Sequence, residues 1–264
     1  MHFDVQDLRD FYYRSTMGRS VQSVLRTRVK EIWPEAKGQT VAGFGFAVPL
    51  LRPYLQEARR IIAMMPGPQG VMPWPADGLN ASVLVEETAW PVETGHVDKL
   101  LILHGLETSE QPSVVLDECW RALGPGGRAL FFVPNRAGLW SRSDRTPFGY
   151  GRPYTLGQVE KQLRMHHFAI EQHFSVLYQI PSTRRFWVKS AGLMERMGRH
   201  LPRFLAGGVF IIEVSKRVMN PKGKAVRTEV KSQLGALEGL SRPAAKPVTW
   251  YCDRHDIRAL YRGC

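Results

Sequence analysis

Residues 118–135, ECWRALGPGGRALFFVPN, decide how the chain is read. Leu116, Cys119, Trp120 and Leu123 recur at helical spacing and lay one apolar stripe along a helix. Gly124 is expected to end that helix in the left-handed conformation, and Pro125 cannot continue one. Gly126 and Gly127 turn the chain into Leu130-Phe131-Phe132-Val133, a continuous apolar run suited to a parallel strand covered on both faces. Asn135 closes that strand at its carboxyl end.

Outward from this unit, apolar segments alternate with helical ones. Strands are expected at residues 40–46 (TVAGFGF), 59–65 (RRIIAMM), 82–85, 97–103 (VDKLLIL), 168–178 and 208–216 (GVFIIEVSK). Helices are expected over 4–33, with a break at Thr16-Met17-Gly18, then over 48–58, from about 112, over 154–165, and over the basic stretch 182–200. In the first helix Val21, Val24, Leu25, Arg28, Val29 and Ile32 share one side. Two long loops intervene: 68–81, centred on Pro73-Trp74-Pro75, and 134–153, rich in glycine, arginine and aromatics. Loops of the second kind are more often lids or binding loops than connectors. Beyond residue 219 only 230–240 has the pattern of a short helix. The alternation predicts an α/β fold, a doubly wound and mostly parallel seven-stranded sheet. An N-terminal helical cap (1–38), an α/β domain (39–217) and a basic flexible tail (218–264) are the expected divisions.

Composition narrows the class. Of 264 residues 44% are apolar and 23% charged, as in an ordinary globular protein. Three scattered cysteines, Cys119, Cys252 and Cys264, make no disulfide framework. The acidic start lacks the plan of a signal peptide, and no apolar run approaches the roughly 20 residues of a membrane helix. A soluble cytoplasmic protein is expected. The net charge of +12 attracts nucleic acid, anionic lipid or acidic small molecules, although an ordinary basic enzyme has the same composition. Residues 219–264 carry nine lysines and arginines against four acids, so the tail is a candidate contact for nucleic acid or an acidic partner.

In an open parallel sheet ligands sit at the carboxyl ends of the strands, near the point where the strand order reverses. That gathers Gly43-Phe44-Gly45-Phe46-Ala47, Met64-Met65, Leu103-His104-Gly105 and Asn135 around one crevice. The glycines let backbone approach a ligand, and the next helix offers free N–H groups to an anion. A nicotinamide dinucleotide fold fits poorly. Its third glycine would fall at Val48, and its ribose-binding acid at Met64 or Met65.

The order resembles the class I S-adenosylmethionine-dependent methyltransferases, in particular the small-molecule, methyltransferase type 11-like group, over residues 40–216. Its most specific part is LDECWRALGPGGRALFFVPN (116–135), similar to that family's helix, Pro-Gly-Gly turn and fifth strand. HVDKLLILHGLETSEQP (96–112) and RPYTLGQVEKQLRMHHFAI (152–170) are similar to its fourth strand with the following Leu-Glu segment, and to its late helix and sixth strand. The resemblance implies S-adenosylmethionine as cofactor, held by Gly43, Phe44, Gly45, Ala47, Met65, Glu86 and Leu103. Two family features are missing. Val41 stands where the glycine loop opens on an acid, and no acid follows the second strand.

Glu86, or its neighbour Glu87, lies where the family often has an acid facing the adenine; the alternative is a solvated loop charge. His104 is the candidate catalytic residue, a general base on a substrate oxygen or nitrogen, or else a structural histidine at a strand end. Trp74 and Trp140 are either stacking surfaces or packing anchors. Asn135, Trp140, Arg142 and Arg152 are the candidate substrate contacts, with Arg136 and Arg145 adding positive charge that favours an acidic methyl acceptor. His166, His167 and His173 have no metal-ligand spacing, and Cys252, His255 and Cys264 offer only three irregular ligands, so no metal is expected. Two functions fit: a methyltransferase with an acid-poor cofactor site, or an inactive binding or regulatory module of the same fold. A protein acting at a membrane surface on an anionic substrate is a weaker third.

Overall fold

A computed structural model of the chain describes residues 3–182, 195 and 207–217. Seven strands form one sheet: β1 (Thr40–Gly45), β2 (Arg60–Pro66), β3 (Ser82–Val85), β4 (Val97–Leu103), β5 (Leu123–Pro134), β6 (Ala169–Val176) and β7 (Val209–Ser215). Their order is β3-β2-β1-β4-β5-β7-β6. All pairings are parallel except those of β7, which lies antiparallel between β5 and β6.

Strand alternation divides the core into two layers. Leu101 and Leu103 of β4 with Leu130 and Phe132 of β5 face one layer. Leu100 and Ile102 with Ala129, Phe131 and Val133 face the other. The first layer is covered by α1 (Val5–Arg9), a π-helical turn (Asp10–Arg14), α2 (Thr16–Ile32) and α3 (Val48–Leu51). The second is covered by α4 (Pro112–Ala122) and α5 (Leu156–Met165). In α2, Val21, Leu25 and Val29 at four-residue spacing are fully buried, each contributing about 2 kcal/mol. Val24 and Ile32 are half-buried beside them, and the Arg28 guanidinium lies 3.9 Å above the Phe174 ring. Trp33, just past α2, donates from Nε1 to the buried Glu213 carboxylate of β7 at 2.9 Å. Arg128 and Gln172 also donate to that carboxylate, at 3.0 and 2.5 Å. The cap is thereby tied to the far strands.

Three expectations need correction. The N-terminal break falls at Ser15, one residue earlier than expected. Ser15 is extended, caps α2 by accepting from Gly18 N at 2.8 Å, and donates to Phe11 O at 2.7 Å. The helix expected over 48–58 stops at Leu51 and tightens to a 3₁₀ turn over Arg52–Tyr54, because Pro53 has no N–H to continue the ladder. Gly124 is not left-handed. α4 ends at Ala122, Leu123 is already extended and pairs with Val97, and the positive φ of 74° belongs to Gly126. Gly124 is needed for another reason: a Cβ there would lie 2.9 Å from the Gly95 carbonyl oxygen. The helix expected at 182–200, except residues 182 and 195, the helix expected at 230–240 and the tail from 218 lie outside the described residues.

Candidate functional site

The strand order reverses between β1 and β4, so their carboxyl ends frame the crevice. Phe46 N donates to Leu103 O at 2.7 Å across it. A Cβ on Gly45, whose φ is 79°, would come 2.3 Å from that same carbonyl oxygen. A Cβ on Gly43 would meet Ala47 Cβ at 2.7 Å and Leu51 Cδ1 at 2.8 Å. Both glycines are thus required by the chain's packing on itself. Phe44, Ala47, Met65 and Leu103 are fully buried. Phe44 stacks on Trp90 with ring centres 4.7 Å apart, and Met65 Sδ accepts from Met72 N at 3.5 Å.

His104 follows β4 with a φ of 53°, a left-handed conformation uncommon outside glycine. It is 2% exposed. Its Nδ1 lies 3.0 Å from Glu107 Oε1, and its Nε2 lies 2.7 Å from the Tyr12 hydroxyl. An ionised carboxylate only accepts hydrogen bonds, so Nδ1 carries the proton and Nε2 accepts from the phenol. Burial first, then the Glu107 charge, pushes the Tyr12 pKa well above its ordinary value and keeps the hydroxyl a donor. Tyr12 is fully buried and stacks on Phe46 at 5.6 Å, while Phe148 covers His104 at 4.7 Å. What remains is a cavity of about 10 Å³ beside Leu8, Gln69 and His104, room for one water. Gln69 Oε1 and Glu107 Oε2 are buried without a hydrogen-bond partner among the described residues.

The other expected residues are spread around this centre. Glu86 is exposed and pairs by backbone with Ala89, while Glu87 accepts from Ser109 Oγ at 2.6 Å. Asn135 is buried, donating to Gly207 O at 2.8 Å and accepting from Ala137 N at 3.0 Å. Trp140 is buried and donates from Nε1 to Gln179 O at 2.8 Å. Trp74 is buried as well. Arg142 and Arg152 are exposed, the latter anchored by its backbone N–H to Glu107 O at 2.8 Å. His104, Gly45, Phe46 and Leu103 therefore come together, whereas among the described residues no hydrogen bond or ring contact joins Glu86, Asn135 or Trp140 to His104. Sequence reasoning missed Tyr12 and Glu107. Glu107 had a signal, a carboxylate three residues after a histidine at a strand end. Tyr12, 92 positions from His104, had none.

Among the described residues no cluster of three or more His, Cys, Asp or Glu is placed to hold a metal. No helix among them is long and apolar enough to cross a membrane.

No family model and no curated protein matches the sequence. Solved structures do match. A SAM-dependent methyltransferase from Thermotoga maritima superposes with a TM-score of 0.56 at 15% identity, covering 81% of this chain and 96% of that one. A methyltransferase of Haloferax volcanii, solved with the Trm112 activator, gives 0.55 at 15% identity, covering 80% and 98%. A SAM-dependent methyltransferase from Archaeoglobus fulgidus gives 0.53 at 16%, covering 81% and 100%. At these identities the likeness is one of fold, and S-adenosylmethionine is the cofactor that fold implies. In the conformation described here the crevice does not fit it. Val41, near the start of β1, and Met65, at the carboxyl end of β2, are fully buried apolar residues where carboxylates are expected, and past the carboxyl ends of β1 and β4 Tyr12 packs on Phe46 and bonds His104. The chain carries the class I S-adenosylmethionine-dependent methyltransferase fold, with the ligand end of its sheet closed by its own N-terminal segment.

Proposed function

We propose that the chain is an S-adenosylmethionine-dependent methyltransferase in a closed state, acting on an acceptor that presents an O–H or N–H group. The observation that carries this reading is the Tyr12–His104–Glu107 chain. Glu107 holds the imidazole in one tautomer with Nε2 free to accept a proton. The Tyr12 hydroxyl donates to that nitrogen as an acceptor's O–H would, so Tyr12 occupies the acceptor's place. The left-handed backbone at His104 is strain of the kind kept where a side chain must be aimed. Exposed Arg142, Arg145 and Arg152, which have no carboxylate partner among the described residues, favour an acidic acceptor at the rim.

Cofactor binding then requires residues 5–14 to leave the crevice, and the closed population lowers the apparent affinity. Tyr12→Phe keeps the buried ring and removes the bond to His104. Calorimetric titration with S-adenosylhomocysteine is expected to show about tenfold tighter binding to Tyr12→Phe than to the unaltered protein. Equal affinities would exclude Tyr12 as the closure.

A second reading, an inactive module of the same fold, is favoured by the apolar residues at Val41 and Met65. Absence of heat in both titrations would select it. It predicts salt-dependent binding to generic DNA that is lost on deleting residues 219–264.

A further inference from the structure

At the amino end of the sheet the strand register sets two cations side by side. Lys99 of β4 and Arg128 of β5 are direct partners on neighbouring parallel strands, whose spacing is about 4.8 Å. Both line a hollow of about 310 Å³, at the small end of the range for small-molecule sites. Ile32, Pro34 and Pro125 give the hollow an apolar wall, and Asp98 and Gln39 line it as well.

The polar groups of this hollow are only partly engaged. Lys99 donates to the Glu35 carbonyl and lies 5.4 Å from the centre of the Trp33 ring, but it has no ion pair among the described residues. An ammonium has three donors, so two remain. Arg128 donates from Nη1 to the buried Glu213 carboxylate, which also accepts from Trp33 and Gln172. The Arg128 Nε and Nη2 make no hydrogen bond among the described residues. Burial first, then Arg128 and Lys30, lowers the Lys99 pKa, while Glu213 and Glu57 act the other way. Acceptors are left over too. Asp98 accepts from Thr40 N through Oδ2 at 2.8 Å, and its Oδ1 has no hydrogen bond among the described residues. Gln39 Oε1 is shielded from solvent and likewise lacks a partner. The amide turns easily about its last torsion, so a donor in the hollow can satisfy it.

We propose that this hollow binds a free α-amino acid with an apolar side chain. The ligand's carboxylate bridges Lys99 and Arg128 and offsets the repulsion between them. Its ammonium donates to Asp98 Oδ1 and Gln39 Oε1, and its side chain packs on Ile32, Pro34 and Pro125. A simple anion would meet Asp98 as a like charge, and a simple amine would meet Lys99 and Arg128 as one. The zwitterion suits both sides. The site does not depend on whether the crevice opens, since none of its residues belongs to the 5–14 segment or to the His104 group.

The test is calorimetric titration of the full chain with L-leucine at low millimolar concentration, beside isocaproate and isoamylamine. These keep the leucine side chain and lack the ammonium and the carboxylate respectively. Leucine is expected to bind saturably and each analogue about tenfold more weakly. Lys99→Met, which keeps the length of the stem, is expected to weaken leucine about tenfold. Asp98→Asn keeps an oxygen for Thr40 N and removes only the charge. It is expected to weaken leucine while binding isocaproate no worse, a change of preference that a loss of structure would not produce. Lys161→Gln, an exposed lysine of α5, should bind leucine like the unaltered protein. No saturable heat with leucine, or isocaproate bound as tightly as leucine, would overturn the proposal. So would an Asp98→Asn variant with an unchanged preference.

Discussion

A methyl group at position 18 would sit 1.9 Å from the Phe11 carbonyl oxygen, a backbone atom that cannot step aside. Gly18→Ala is therefore expected to destabilise the protein by about 2 kcal/mol or more in denaturant unfolding. Gly157, in α5 with nothing near its would-be Cβ, gives the opposite outcome: Gly157→Ala should stabilise by about 0.5 kcal/mol. Both are glycines in helices, and the sequence alone does not separate them. The same holds at the site. His104 was legible because it follows an apolar strand, and Glu107 was within reach because it is three residues further on. Tyr12 was not, because its partner is fixed only when the cap folds onto the sheet.

At the level of elements, the strands were the most legible. The bounds expected for residues 82–85 and 97–103 coincide with β3 and β4, since apolar runs closed by turn residues leave few alternatives. Helix ends were less legible, because they depend on tertiary contacts. α4 gives way to β5 at Leu123 because pairing with Val97 begins there, and no local rule announces it. α4 also carries a testable charge. The Glu118 carboxylate is held below its usual range, first by Arg121 and also by the Trp90 backbone N–H at 2.9 Å. A carboxylate with a lowered folded pKa contributes stability above the ordinary carboxylate range and loses it as pH falls through the folded value. Glu118→Gln should accordingly flatten the acid limb of the melting-temperature profile, below the ordinary carboxylate range, relative to the unaltered protein. Parallel limbs would show that the pair contributes nothing.

Across the whole molecule, scaffold and chemistry occupy opposite ends of the sheet. Residues 118–135 identify the fold most clearly, yet their Pro-Gly-Gly turn lines a hollow with Trp33 and Lys99, away from His104. The ligand end depends on residues 41–47, on Met65, and on the N-terminal segment that closes over them. The glycine turn survives there, but its glycines serve contacts within the chain. A sequence motif reports that close approach is required and not which atoms approach. The most direct measurement is a crystal structure of Tyr12→Phe grown with S-adenosylhomocysteine. The ligand is expected between the carboxyl ends of β1 and β4, with residue 12 withdrawn from His104. Residues 5–14 still seated against His104, with no ligand between those strand ends, would contradict the account.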